Sequence, residues 1–153
     1  MKIRKATAKD FDEVVNLMMK ADLRTKEWAE DRARRFIQDK KKIRYLLVAE
    51  DSNKLIGYVG IKKEEEDNKA SEFINIKKYI LITWIAVLPE WRSKKIGSKL
   101  LIAAEKYVKK FNKKDIFLDC RKNVLPFYFR NDYKIAGKYI DKGKMRYVLV
   151  KKI

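Results

Sequence analysis

The stretch that decides the fold is residues 85–101, IAVLPEWRSKKIGSKLL. It continues an apolar run that ends at Pro89, and proline ends a strand because it has no backbone N–H to donate. A short loop carrying Arg92, Lys94 and Lys95 then leads into a helix. The free N–H groups and the positive dipole end of a helix start attract phosphate. The stretch therefore predicts a phosphate site, and a plain turn with solvated lysines is the alternative.

Hydrophobic periodicity extends the pattern on both sides of this stretch. Residues 80–88, ILITWIAVL, are apolar at nearly every position, as in a central strand covered on both faces. Apolar residues recur with a helical period over 96–111. Asp10 and Glu13 predict a capping box, and the acidic run 64–70 predicts a solvated loop. The predicted elements are strand 2–5, helices 10–19 and 25–39, strands 44–50, 55–63 and 73–88, helix 96–111, strand 115–119, helix 123–130, and strands 133–139 and 144–151.

The predicted order, β-α-α-β-β-β-α-β-α-β-β, indicates the fold class. A central strand, a helix and a further strand form a right-handed crossover between parallel neighbours. We therefore predict an α/β (α+β) mixed sheet of six to seven strands, flanked by about four helices on both faces. Because no Gly/Ser/Pro-rich linker interrupts the chain, residues 1–153 are predicted to form a single domain.

The composition excludes several kinds of chemistry. The chain has no His and one Cys, which removes imidazole bases, Ser-His and Cys-His triads and nearly every zinc site, so no metal is expected. The formal charge is +18, and residues 77–153 carry 21 basic against 6 acidic side chains. An anion is therefore expected to bind the second half, as either a nucleic acid or a phosphate-rich cofactor.

The sequence also bears on location. No apolar run approaches the ~20 residues of a membrane span. The opening residues, MKIRKA, have no apolar stretch of the signal-peptide type. We therefore expect a cytoplasmic protein without membrane contact. The Lys-rich usage is typical of thermophilic proteins, and an AT-rich genome would produce the same usage.

Two segments resemble the motifs of one enzyme family. The run VLPEWRSKKIGSKLL at 87–101 is similar to motif A of the GCN5-related N-acetyltransferases, the GNAT family. The core of that motif is Arg/Gln-x-x-Gly-x-Gly/Ala after a strand ending in Val-x-Pro. Arg92 fills the first position and Gly97 the last. Lys95 replaces the middle glycine, and Ser93 stands where another glycine is frequent.

The second segment, NVLPFYFRNDY at 123–133, resembles motif B of the same family, Asn…Phe-Tyr-x-x-x-Gly-Phe. Asn123 and Tyr128 fill the asparagine and tyrosine positions. Asp132 and Tyr133 replace the usual Gly-Phe. The resemblance covers nearly the whole chain in element order and residues 80–135 in motifs.

The resemblance implies binding of acetyl-CoA as the cosubstrate. In the family the central strand diverges from its neighbour, and the main chain of Ile85 and Val87 would then pair with the pantetheine arm. The amides of residues 93–98 would hold the pyrophosphate. The cofactor-binding residues that the resemblance implies are Ile85, Ala86, Val87, Arg92, Ser93, Lys94, Lys95, Ile96, Gly97, Ser98, Asn123 and Tyr128.

The resemblance implies an N-acetyltransferase in which a neutral primary amine attacks the thioester directly. The Val87 amide would stabilise the oxyanion, and Tyr128 would protonate the leaving thiolate as a general acid. From spacing alone, Tyr128 as a packed aromatic is the alternative. The carboxylates that could take the amine proton are Asp22, Glu27, Asp31 and Glu72. The first three lie around the turn between the first two helices, which borders the acceptor cleft in the family, and could equally attract a cationic amine.

The acceptor is expected to be an amine on a small molecule or a protein, and a homodimer is compatible with the family. Two other functions are compatible with the residues. The +18 charge and the Lys-rich helix faces are typical of a basic nucleic-acid-binding module. Lys95 and Asp132 at glycine positions suggest a CoA-binding family member without catalysis.

Overall fold

Seven strands and four helices follow one another in the predicted order in the computed structural model, which describes residues 1–63, 68–111 and 115–153. They are β1 Lys2–Lys5, α1 Phe11–Asp22, α2 Lys26–Ile37, β2 Arg44–Asp51, β3 Lys54–Lys62, β4 Tyr79–Val87, α3 Ile96–Val108, β5 Asp115–Cys120, α4 Leu125–Arg130, β6 Lys134–Asp141 and β7 Lys144–Lys151. The strands form one sheet in the order β1-β2-β3-β4-β5-β7-β6. The predicted mixed sheet is therefore confirmed.

The chain divides into two compact units, and their boundaries fall within β3, β4 and α3. The first unit comprises Met1–Ile61 and Trp84–Lys106. The second comprises Lys62–Thr83 and Tyr107–Ile153. Among the described residues, no helix is both long enough and apolar enough to cross a membrane.

In the first unit, β1 pairs antiparallel with β2, with Lys2 opposite Glu50. The turn between β2 and β3 contains Ser52 and Asn53, whose φ angles of 50° and 63° are those of a tight hairpin turn. The predicted amphipathic first helix is confirmed, because one face of α1 is buried. That face is formed by Val14, Val15, Leu17, Met18 and Ala21.

The predicted capping box of Asp10 and Glu13 is wrong. Asp10 is the N-cap residue of α1, but its side chain makes no capping hydrogen bond to that helix. It belongs instead to a capping box with Thr7, at the start of the 3-10 turn that precedes α1. Its carboxylate accepts a hydrogen bond from the Thr7 N–H at 2.7 Å and pairs with Arg4 at 2.8 Å. Glu13 instead accepts from the Leu55 N–H at 2.7 Å. The hydrogen bond of Glu13 to β3 thus replaces the predicted capping bond to the start of α1.

In the second unit, β4 begins parallel to β5, with Tyr79 opposite Asp115. β5 pairs antiparallel with β7. The hairpin of β6 and β7 turns at Lys142 and Gly143, which have φ of 50° and 78°. The buried residues at the centre of this unit are Ala70, Ile76, Phe117 and Val148.

The predicted extended stretch over 73–88 is too long, since β4 begins at Tyr79. The Asn75 side chain accepts a hydrogen bond from the Lys77 N–H at 3.3 Å and starts a 3-10 turn at Ile76–Lys78. Such a local side-chain bond competes with strand formation. The hydrophobic periodicity of the sequence does not reveal this hydrogen bond.

Phe73, which precedes β4, packs closely against Gly137 of β6. A Cβ on Gly137 would lie 2.3 Å from the Phe73 ring, so only glycine fits there. Of the predicted acidic loop at 64–70, residues 64–67 lie outside the described residues. The rest enters a 3-10 turn at Lys69–Glu72, whose Ala70 is buried.

Candidate active site

The loop between β4 and α3 has an unusual backbone. β4 ends at Val87, a 3-10 turn covers Pro89–Trp91, and α3 begins at Ile96. Ser93 and Lys95 both lie in the left-handed region, with φ of 63° and 62°. Left-handed residues that alternate with ordinary ones turn successive backbone N–H groups toward one concavity, which binds anions. The loop can therefore hold an oxyanion through its main chain.

Side chains in this loop occupy positions where the backbone would favour glycine. Glycine adopts the left-handed conformation without strain, whereas a residue with a Cβ pays roughly 1–2 kcal/mol. Ser93, Lys94 and Lys95 are all exposed. The Lys94 ammonium lies over the Trp91 ring, 4.9 Å from its centroid. An anion in this loop would meet main-chain donors together with exposed ammonium groups.

Arg92 ties together two elements of the first unit. Its Nε donates to the Val87 carbonyl at 3.0 Å, and its Nη2 donates to the Ala21 carbonyl at 3.0 Å. The guanidinium thus joins the end of β4 to the end of α1. Sequence reasoning assigned Arg92 only to phosphate and missed this positioning role.

Asp22, at the end of α1, is a partly buried carboxylate. It accepts a hydrogen bond from the hydroxyl of Tyr58, a fully buried residue of β3. Burial raises the pKa of Asp22 to about 6, and the positive charges of Arg24 and Arg92 oppose that rise. Asp22 can therefore exchange a proton near neutral pH.

The other candidate carboxylates have different surroundings. Glu27 is exposed on the first turn of α2. Asp31 pairs with the Arg35 Nε at 3.2 Å. Glu72 lies in the second unit and pairs with Lys69 at 3.8 Å. Of the four carboxylates that the sequence nominates, burial and a buried hydrogen-bond donor single out Asp22.

The position of Trp84 is decided by α2. Its ring makes edge contacts with Phe36 and Trp28, with centroids 5.3 Å and 5.8 Å away. The Arg32 guanidinium lies over the same ring at 4.7 Å. Trp84 therefore faces α2.

Tyr128, in α4 of the second unit, lies in an aromatic cluster. Edge contacts join its ring to Phe127 at 5.0 Å and to Tyr133 at 5.7 Å. Burial raises the pKa of Tyr128 well above its ordinary value, and Cys120 and Asp119 act in the same direction. The phenol is therefore protonated at neutral pH, which is the form that a general acid requires.

The turn after α4 repeats the backbone feature of the first loop. Asp132 has a φ of 68°, again at a position where the motif usually has glycine. The Tyr128 carbonyl accepts hydrogen bonds from the N–H groups of Asn131 at 3.0 Å and Tyr133 at 3.1 Å. These bonds close the turn and fix the backbone that carries the phenol.

The sequence model of the acetyltransferase (GNAT) family matches residues 11–131. The chain belongs to the GNAT family. No curated protein sequence matches the chain significantly.

Solved GNAT acetyltransferases share the fold over almost their whole length. The PaiA N-acetyltransferase of Thermoplasma acidophilum, in complex with coenzyme A, is 21% identical with a TM-score of 0.69, covering 99% of this chain and 98% of its own. The aminoglycoside 6'-N-acetyltransferase of Enterococcus faecium is 16% identical with a TM-score of 0.78, covering 99% and 96%. Arabidopsis thaliana NAA60, in complex with a bisubstrate analogue, is 16% identical with a TM-score of 0.73, covering 98% and 96%.

The residues that the GNAT motifs nominate fall into two groups. Residues 85–98 belong to the first unit, where Ala86 and Val87 are buried and Ile85 is half-buried. Asn123 and Tyr128 belong to the second unit, with Asn123 exposed in a 3-10 turn. Their roles in binding and catalysis stay predictions.

The Cys120 thiol of the second unit is unsuited to covalent chemistry. Burial raises its pKa to about 11, so the reactive thiolate is scarce at neutral pH. The neighbouring Asp119 accepts hydrogen bonds from Arg146 and from the Tyr139 hydroxyl, the latter at 3.0 Å. Cys120 is thus a buried structural thiol.

Proposed function

We propose that this GNAT protein is an acetyl-CoA-dependent N-acetyltransferase that moves the acetyl group from the CoA thioester to a primary amine. The observation that carries the proposal is the left-handed backbone at Ser93 and Lys95, directly before α3. This conformation persists although neither residue is glycine. A loop kept in a strained form that gathers N–H groups is best explained by an anionic ligand.

The surroundings of the loop support CoA as that ligand. Main-chain groups of residues 93–98 would hold the pyrophosphate, with Lys94 and Lys95 adding charge. The main chain of Ile85–Val87 would pair with the pantetheine arm in the manner of an added strand. The excess of basic residues over 77–153 suits a cosubstrate that carries several phosphate charges.

The chain supplies a role for each step of the transfer. The Val87 amide donates to the carbonyl oxygen as it becomes negatively charged, which stabilises the transition state. The amine nitrogen bonds to the carbonyl carbon, and the C–S bond breaks. Tyr128 gives its proton to the departing thiolate. Arg92 holds the end of β4 through the Val87 carbonyl and so positions the neighbouring main chain.

Asp22 is the carboxylate that we propose to accept the proton of the attacking amine, directly or through water. Its pKa of about 6 leaves it ionised at neutral pH yet more basic than an ordinary carboxylate. The hydrogen bond from Tyr58 fixes one of its oxygens. Glu27 and Asp31 would then add negative charge that attracts a cationic amine.

The first test is thermal unfolding with and without acetyl-CoA at low and at elevated salt, with ATP as the polyanion control. At about 100 times its Kd a ligand adds ~2.7 kcal/mol to the stability, a shift of roughly 5–11 °C in Tm for a domain of this size. We expect a salt-resistant shift with acetyl-CoA that ATP does not reproduce. Equal shifts with both ligands, abolished by salt, would instead favour a nucleic-acid-binding module.

The second test is release of free CoA thiol in the presence of a panel of amines. Amine-dependent release establishes acetyl transfer. Binding of acetyl-CoA without release for any amine would indicate a family member that keeps the cosubstrate site and lacks catalysis. The two tests therefore separate the three functions that the sequence allows.

A further inference from the structure

Two arginines and two tryptophans of the first unit form a compact group, which we term the arginine–indole cluster: Arg24, Trp28, Arg32 and Trp84. The Arg32 Cζ lies 4.7 Å from the Trp84 ring centroid and 5.5 Å from that of Trp28. The Arg24 Cζ lies 5.1 Å from the Trp28 centroid. The Trp28 ring therefore contacts the guanidinium groups of both Arg24 and Arg32. The Arg32 guanidinium also contacts the Trp84 ring.

Within residues 1–63, 68–111 and 115–153, no carboxylate forms an ion pair with Arg32. Its Nε is buried and has no hydrogen-bond acceptor among the described residues. Asp31 is the acidic group that acts on it, and the Asp31 carboxylate pairs with Arg35 at 3.2 Å. The other charged groups acting on Arg32 are Arg24, Arg35 and Arg44, all cations. A half-buried cation surrounded by cations is unfavourable unless an anion completes it.

We infer that the arginine–indole cluster binds an oxyanion carried by the acceptor, so that the acceptor is an amine that also bears a carboxylate or phosphate. This inference rests on the proposed acetyltransferase function. Arginine stacks on aromatic rings and presents a planar fork of donors that matches both oxyanions. Cation–π contacts with Trp28 and Trp84 restrict the Arg32 guanidinium before the ligand arrives, which lowers the entropy lost on binding.

The arrangement of charges suits such an acceptor at both ends. Arg24 acts electrostatically on Asp22 as well as on Arg32, so the proposed base and the cluster are neighbours. An amine at Asp22 and an oxyanion at Arg24 and Arg32 would each meet the opposite charge. The acidic residues of the first half by themselves favour a purely cationic acceptor. The unpaired Arg32 argues instead for a molecule with charges of both signs.

Binding can be measured without turnover through indole fluorescence. The chain has three tryptophans, and Trp91→Phe leaves the two of the cluster as the reporters. In that background the protein is titrated at constant ionic strength with benzoate, phenyl phosphate and the uncharged benzamide. We expect a saturable change with at least one of the two anions and none with benzamide. The stronger of the two anions identifies the oxyanion class.

Matched variants assign the signal to the cluster. Arg32→Gln is expected to weaken anion binding by about tenfold or more, because a hydrogen bond to a charged group is lost. Arg24→Gln, at an exposed position, is expected to weaken it by a smaller factor and serves if Arg32→Gln is unstable. Arg34→Gln makes the same change of charge on an exposed position of α2 and should leave the affinity unaltered.

Three results would overturn the inference: no saturable response to either anion, an equal response to benzamide, or equal losses in Arg32→Gln and Arg34→Gln. Weakened CoA binding in Arg32→Gln would also overturn it, since the cluster would then serve the cosubstrate. Acetyl transfer to 4-(aminomethyl)benzoate and to benzylamine is measured separately from anion binding. Anion binding without transfer to any amine would refute the proposed function alone.

Discussion

The loop after β4 and the turn after α4 offer an instructive comparison. Both keep left-handed residues where the GNAT motifs usually have glycine: Ser93 and Lys95 in the loop, Asp132 in the turn. The loop exposes its side chains and can act through its main chain. The turn supports a half-buried side chain, Tyr128, which can act through its hydroxyl. Changes to the exposed side chains of Ser93 and Lys95 should therefore matter little, whereas changes to the Tyr128 phenol should matter greatly.

Removing the phenol is the strongest test of this contrast. Tyr128→Phe is expected to lower turnover by about 10²–10⁴-fold, because general acid catalysis contributes that much, while CoA affinity changes little. Steady-state kinetics and calorimetric titration with CoA measure the two effects. Tyr139→Phe removes a hydroxyl that bonds Asp119 and is the control that should keep its turnover. Unchanged turnover in Tyr128→Phe would show that the phenol is not the general acid and that Tyr128 serves only in packing.

The next largest effect is expected at Arg92, the side chain of the loop that bonds main-chain groups. Arg92→Gln loses charged hydrogen bonds to the Val87 and Ala21 carbonyls and should lower the free energy of unfolding by about 1–3 kcal/mol. Urea unfolding measures this loss. Arg130→Gln, at an exposed position, should change it by less than about 0.5 kcal/mol. Normal stability with weakened CoA binding would return Arg92 to a purely phosphate-binding role.

Asp22 extends the comparison to pH. Its pKa rises from 3.8 to about 6 on folding, so the folded protein binds the proton more tightly than the unfolded chain. Its contribution to stability is therefore complete below about pH 4 and is lost as the pH rises through 6. Asp22→Asn should remove that slope and raise the stability at pH 7 by about 1 kcal/mol, allowing for solvent screening.

Chemical unfolding of both proteins across this pH range measures the difference. The wild-type turnover should also fall as the pH drops below about 6, because the proposed base becomes protonated. Parallel stability curves for the wild type and Asp22→Asn would contradict the raised pKa. A turnover that is flat through pH 6 would contradict the role as base.

The smallest effect is expected at Lys95, and it tests whether the main chain of the loop holds the ligand. Lys95→Gly relieves left-handed strain, which stabilises the fold, and adds freedom to the unfolded chain, which opposes this. The free energy of unfolding should rise by roughly 0.5–1 kcal/mol as the net result. CoA affinity should remain within a few-fold of the wild type. Lys99→Gly, one turn into α3, should instead lose about 1 kcal/mol, since helix interiors disfavour glycine. A large loss of affinity in Lys95→Gly would show that the ammonium, and not the main chain, holds the ligand.

Local patterns predicted most of the elements and failed where a side chain bonded a backbone N–H that the pattern does not include. The period of α3 and the apolar run of β4 were sufficient to identify both elements, because burial repeats regularly along them. The start of β4 was misplaced, since the Asn75 side chain bonds the Lys77 N–H and turns the backbone. The capping box failed because Glu13 bonds the Leu55 N–H of β3, far along the chain.

The sequence by itself determined the order of strands and helices, the family, and a chemistry without histidine. These follow from periodicity, motif spacing and composition, which are readable along the chain. Only the tertiary structure decided that Tyr58 bonds Asp22, 36 residues away, and that Arg92 bonds the Ala21 carbonyl, 71 residues away. It also placed Arg32 against two indoles. The burial and the hydrogen-bond partners of a polar group depend on which distant residues pack against it. Burial shifts the pKa of such a group, and the lack of a partner leaves its charge uncompensated.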